Sequence, residues 1–223
     1  MTQTTHPLPS PGPARRRTPR VLIVAGLIAL TVVPFIAGMM RLIELASGPV
    51  VTPENARFVD SPVPVVVHII SALTFLVLGA LQFVPALRRH RWHRLAGRVL
   101  VPAGIAAALS GLWMTLFYAL PAINGVALYW IRIAVSTAMA SFIVVAFLAI
   151  RRGDVRSHSA WMTRAYALGM GAGTQVITVP LGTAIFGQPG QALYAILMSA
   201  GWGINIVIAE LVIARRAHRG LLS

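Results

Sequence analysis

The chain contains no cysteine and no lysine, and only five of its 223 residues are acidic. Without cysteine it can form no disulfide, thiolate zinc site or cysteine-ligated iron–sulfur cluster. Charged residues make up 11% and hydrophobic residues 57%. So few charges exclude a soluble enzyme, whose surface needs many more. The apolar content excludes a disordered chain. What remains is an all-α, polytopic membrane protein whose first partner is the lipid bilayer. All 19 basic residues are arginine, and the formal net charge is +14. Such an excess also suits nucleic acid. Here the arginines lie between apolar runs and form no single patch, so no nucleic-acid partner is expected.

Residues 1–20 alternate proline with other residues and then carry four arginines, with no apolar period. This composition predicts a disordered arm. A membrane-crossing helix needs about 20 largely apolar residues. Six stretches qualify: about 21–43, 63–84, 99–119, 129–150, 162–182 and 192–214. A basic tail, 215–223, follows. The first run is too long for a signal-peptide core and contains Pro34, so it reads as an uncleaved span. Prolines at 34, 102 and 180 are expected to bend spans one, three and five.

Orientation follows from where the arginines fall. Sixteen lie in the amino-terminal arm, around 85–98, around 151–164 and in the tail; only Arg41, Arg57 and Arg132 lie on the other side. Both termini are therefore expected in the cytoplasm. Arg152-Gly153-Asp154 looks like an adhesion motif but falls on the cytoplasmic side, and reads as a turn.

Spans two and three are joined by an arginine-rich turn leading to His93; spans four and five are joined in the same way, leading to His158. His68 precedes His93 by 25 residues, and Arg132 precedes His158 by 26. Two hairpins of one design would make a pseudo-symmetric four-helix core from spans two to five. The alternative is that any two hairpins share basic inner turns.

Polar groups within spans need a partner or a function. His68 and Arg132 lie at similar depth, roughly 8 Å below the outer edge. With Gln82, further along the face of His68, they form a candidate outer polar site. The plainer alternative has Arg132 reaching the outer headgroups and His68 making one interhelical hydrogen bond. His93 and His158 open spans three and five at matching depth, each beside a stripe of small residues. The stripes run through Gly97, Gly104, Ala108 and Gly111, and through Trp161, Ala165, Gly169 and Gly173. Small residues allow close helix packing and also leave room for a flat macrocycle. The two imidazoles thus suit the axial positions of one b-type haem on the cytoplasmic side. Arg94, Arg98 and Arg164 would face its propionates or a quinone headgroup. The competing reading is a pair of interfacial histidines beside lipid phosphates. Gly169-Met170-Gly171-Ala172-Gly173 lacks nucleotide-loop spacing and is a packing face. Glu210 is the one carboxylate within a span, within reach of Arg94, Arg98 or Arg164. With Asn205 and Tyr166 it forms a candidate inner polar site. No acid lies deep in the membrane, which disfavours a small-molecule carrier.

Several of these residues carry a resemblance. His68…Gly79-Ala80-Leu81-Gln82-Phe83…His93-Arg94-Leu95-Ala96-Gly97-Arg98 resembles the bacterial membrane family known as domain of unknown function 2306. So do His158-Ser159-Ala160-Trp161-Met162-Thr163-Arg164-Ala165-Tyr166 and the closing Asn205…Glu210. The likeness covers about residues 63–214 and implies a bacterial plasma-membrane protein, with no substrate assigned. A looser similarity is to six-span transmembrane b-type cytochromes, which pair ligating histidines of spans two and four and of spans three and five. Here Arg132 stands opposite His68 where the first pair needs a histidine, so this similarity implies at most one haem, on His93 and His158. Two functional expectations follow: a redox protein holding that haem, or a non-catalytic module whose inner arginines bind an anionic lipid or a protein partner.

Overall fold

The structure, a computed structural model, describes residues 18–84 and 91–221. Much of the expected arm thus lies outside the described residues. No strand occurs among them. The helices are α1 (Thr18–Ala46), α2 (Ala56–Asp60), α3 (Pro62–Leu81), α4 (Arg91–Phe117), α5 (Gly125–Arg151), α6 (Val155–Gly169), α7 (Gly171–Phe186) and α8 (Gln191–Leu221), with one 3-10 turn at Ala122–Asn124. Five are long and apolar enough to cross a membrane, and α6 with α7, bent by 42° where they join, passes the same test of length and apolarity only as a pair. Each of the six apolar runs thus falls on one of these five helices or on the bent pair.

The helices overrun the apolar runs, because helical hydrogen bonding continues through flanking polar residues that reach the membrane surface. α4 starts at Arg91, so His93, Arg94 and Arg98 stand on its first two turns. α8 continues through the basic residues of the tail to Leu221.

The buried core comes from spans two to five, as their common hairpin design suggests. Phe75 and Leu76 of α3, Leu100 and Ala108 of α4, Met139 and Ile143 of α5, and Ala165 and Tyr166 of α6 form one cluster. Spans one and six pack on it through Leu27, Leu30, Trp202 and Ile206. Large apolar side chains such as Leu22, Ile36, Ile185 and Val207 are exposed. In water such a surface would be a liability; in a membrane it is the face that meets lipid.

The break in span five sits at Met170, one residue from either glycine, and Pro180 lies inside an unbroken α7. A Cβ on Gly171 would collide with the indole of Trp202, and one on Gly173 would come 2.5 Å from the carbonyl oxygen of Leu30. Gly171 and Gly173 therefore let α8 and α1 approach this segment closely, and the direction changes beside them. Arg152-Gly153-Asp154 is a turn, as its place between spans suggests. Gly153 takes φ of 79°, and the Asp154 carboxylate accepts a hydrogen bond from the Ser157 backbone N–H at 2.9 Å, capping α6. Hydrogen bonds from the Ser157 side chain and backbone hold the Asp154 carboxyl below its usual range.

Candidate functional site

One end of the bundle carries the connections 47–61, 118–124 and 187–190; the other carries both ends of the described chain. At the first end a cavity of about 680 Å³ opens between α1, α3, α4, α5 and α8, with the span-five break behind it. Arg41, Arg57, Arg132 and Tyr194 line it, together with His68 and Ser136. Its walls deeper in the bundle are largely apolar, with Phe75, Met139, Leu168 and Trp202 beside the polar Gln175. These are the three arginines that fall on the arginine-poor side.

Each arginine arrives by a different local route. Arg41 ends the last turns of α1 and pairs with Glu44 three residues on, at 2.5 Å. Arg57 is held by the preceding connection, which Asn55 ties together. The Asn55 side-chain amide donates to the Glu44 carboxylate at 3.1 Å and to the Val50 carbonyl at 3.0 Å, and its oxygen accepts from the Thr52 backbone at 2.7 Å. The Arg41 and Arg57 guanidiniums both stack on the Phe58 ring, 4.4 and 4.5 Å from its centre. The Phe58 ring packs edge-on against Tyr118, whose hydroxyl donates to the Ser61 carbonyl at 2.6 Å. Arg132 projects from α5 and is half-buried. Arg57 and Tyr194 lie near enough to act on it electrostatically. Among the described residues, neither Arg57 nor Arg132 has a carboxylate or hydrogen-bond partner. Glu44 offsets one of the three charges and leaves two.

His68 is fixed against α4. Its Nδ1 lies 2.9 Å from the Ala107 carbonyl oxygen and 3.2 Å from Ser110 Oγ. A Cβ on Gly111 would stand 3.2 Å from His68 Cε1 and 3.7 Å from Ser136 Oγ. That bare glycine therefore marks where His68 and Ser136 meet, and Ser136 is one turn from Arg132. His68 and Arg132 share the cavity, whereas Gln82 does not join them. Gln82 caps the far end of α3, fourteen residues on or about 21 Å along the axis.

The opposite end holds the remaining candidates. Arg164 meets Glu210 with two bonds, Nε to Oε1 at 2.6 Å and Nη2 to Oε2 at 2.8 Å, and lies 4.6 Å over the Trp161 ring. Tyr166 donates to the Leu76 carbonyl at 2.9 Å, and Asn205 Oδ1 accepts from Thr174 at 2.8 Å. The expected inner trio of Glu210, Asn205 and Tyr166 thus engages three different neighbours. Asn205 Nδ2 is buried without a hydrogen-bond partner among the described residues. His158 Nδ1 donates to the Ala146 carbonyl at 2.9 Å, while His93 is half-buried and Arg94 and Arg98 are exposed. The small-residue stripes are largely filled by side chains and backbone: Gly104 by Phe75 and Ile143, Gly169 by Phe75 and Met139, Gly173 by the Leu30 carbonyl. Space remains open beside Gly97.

Sequence reasoning missed Arg41, Arg57 and Phe58 as cavity residues. The available signal was that these arginines are exceptions to an otherwise one-sided distribution. A family model described as "Predicted membrane protein (DUF2306)" matches residues 65–213, which include His68 and Arg132. No curated protein and no solved structure matches the chain.

Proposed function

The chain belongs to the DUF2306 family of predicted membrane proteins, and we propose that this member binds a small anionic amphiphile in the cavity at the His68 end. The observation that carries the reading is the pair of guanidiniums, Arg57 and Arg132, that have no carboxylate partner among the described residues and stand above a largely apolar floor. A charged arginine at the centre of a span costs about 2.5–3.5 kcal/mol on insertion scales, and less near the interface. A fold that keeps such a charge without an ion pair leaves it to a ligand or to the headgroup region. The cavity volume lies within the range of about 300–1,000 Å³ usual for small-molecule sites. The arginine asymmetry puts this cavity on the extracytoplasmic side, so the amphiphile enters from the outer leaflet or the outer aqueous phase.

The test is thermal unfolding of detergent-purified protein with dodecanoate or with uncharged dodecanol. At saturating ligand the anion raises the midpoint by about 5 °C or more, the alcohol does not, and Arg132→Gln removes the response. Equal shifts from both, or an unchanged response in Arg132→Gln, would reject the reading.

A second reading keeps one b-type haem at the opposite end, on His93 and His158. It is supported by the His158 Nδ1–Ala146 bond, which leaves Nε2 as the nitrogen for a metal and orients the ring as ligating histidines are usually oriented. The residues fit in part. Arg94 and Arg98 are exposed cations there, but Arg164 is committed to Glu210 and the interior stripes are filled, so a macrocycle would have to lie near Gly97. A haem there would supply one-electron transfer. Protein made with ample haem should then show a Soret band that is lost in His93→Ala and His158→Ala. No band, or a band that survives both changes, eliminates this reading.

A further inference from the structure

Resting on the amphiphile reading, we infer that the head group taken by the cavity is a phosphate monoester. The inference comes from what His68 adds to the arginines. A backbone carbonyl can only accept a hydrogen bond, so the 2.9 Å contact to Ala107 places the ring proton on Nδ1. Ser110 Oγ already donates to the Ala106 carbonyl at 2.6 Å, so toward His68 it also serves as an acceptor. The guanidiniums of Arg57 and Arg132 in the same cavity disfavour a second positive charge on the ring, which is read as the neutral imidazole. Nε2 is then a lone-pair acceptor, and it makes no hydrogen bond among the described residues.

The same cavity therefore offers two opposite demands. Arg57 and Arg132 need oxyanions, and His68 needs a hydroxyl or amine that donates. Ser136 lies between Arg132 and His68 and serves either role. A carboxylate, a sulfonate or a phosphodiester supplies oxyanions but no acidic hydroxyl. A phosphate monoester, whose second proton leaves near pH 6, supplies both in its monoanion. In that monoanion the remaining hydroxyl is the donor from which a neutral Nε2 accepts. The apolar floor formed by Phe75, Met139, Leu168 and Trp202 gives the ester's hydrocarbon a place to lie. The shared chemistry is R–O–PO₃H⁻; a lipid monoester and a soluble phosphate are its two possible sources.

The experiment measures binding of five probes to the purified protein by calorimetry at pH 7.5: monododecyl phosphate, its methyl diester, dodecanoate, methyl phosphate and uncharged dodecanol. The expected result is at least about tenfold tighter binding of monododecyl phosphate than of the diester or dodecanoate, because the analogues leave His68 unsatisfied. His68→Phe should abolish that preference, so that in the variant the monoester and the diester bind within about twofold of each other. His68→Gln, which keeps a side-chain acceptor, should retain part of it and guards against misfolding of the first variant. Methyl phosphate should bind at least about tenfold more weakly than the dodecyl ester if the source is a lipid; equal affinity assigns a soluble phosphate, which keeps the monoester class but overturns the amphiphile part of the reading. If the diester or dodecanoate binds as tightly as the monoester, the inference falls and the amphiphile reading stands. If no anion binds more tightly than dodecanol, both fall.

Discussion

Arg132 shows how one side chain can trade stability for binding. It stands in a membrane span, half-buried, with no ion pair among the described residues, and the similarly charged Arg57 is close by. Replacing it by leucine removes a desolvated charge and a like-charge repulsion and adds apolar contact. Arg132→Leu is therefore expected to stabilise the ligand-free protein by on the order of 1 kcal/mol, or roughly 2–4 °C in thermal unfolding, while ending its response to anions. A lower melting point would mean that the guanidinium holds the bundle together and is not held in reserve for a ligand. The sequence already showed Arg132 as a polar residue at the depth of His68. It did not show that His68 is anchored to the Ala107 carbonyl, since a histidine's rotamer depends on the bare surface at Gly111 of the neighbouring helix. The match of Arg164 with Glu210 was more legible, because a lone carboxylate in a span has few cations within reach.

At the scale of the helix, span five departs most from its sequence pattern. A continuous apolar run with Pro180 near its end predicts one helix bent at the proline. The chain instead bends by 42° at Met170. Proline removes one hydrogen bond, whereas the neighbouring glycines admit the Trp202 ring and the Leu30 backbone, and tertiary packing decides the matter. Pro180→Ala is expected to leave the bend in place, as read by the distance between spin labels at the two ends of α6 and α7. Gly171→Ala should change that distance or cost about 1–3 kcal/mol through overpacking against the indole. A straightened span in Pro180→Ala would move the cause back to the proline. The broken segment matters to the site because Leu168, Gly169, Ala172 and Gln175 line the cavity on either side of Met170.

Across the whole molecule, the apolar spans and the position of the core were readable, since run length and the shared design of the two hairpins are local properties of the sequence. The cavity was not. It depends on the connection 47–61 folding over the end of the bundle, which brings Arg57 and Phe58 to Arg41 through the hydrogen bonds of Asn55. Such long-range placement leaves no periodic trace. The absence of cysteine makes the orientation simple to test. In intact cells an impermeant maleimide should label Val50→Cys, at a position that is 85% exposed, and should reach Arg156→Cys only after permeabilisation. The reverse pattern would put the cavity on the cytoplasmic side. The most direct test of the central claim uses Trp202 in the cavity wall. With the other four tryptophans changed to phenylalanine, a bromine-tailed dodecanoate should quench its fluorescence saturably, and Arg57→Gln with Arg132→Gln should abolish the saturable phase. Quenching that rises without saturation, unchanged by losing both arginines, would contradict an anion held in the cavity.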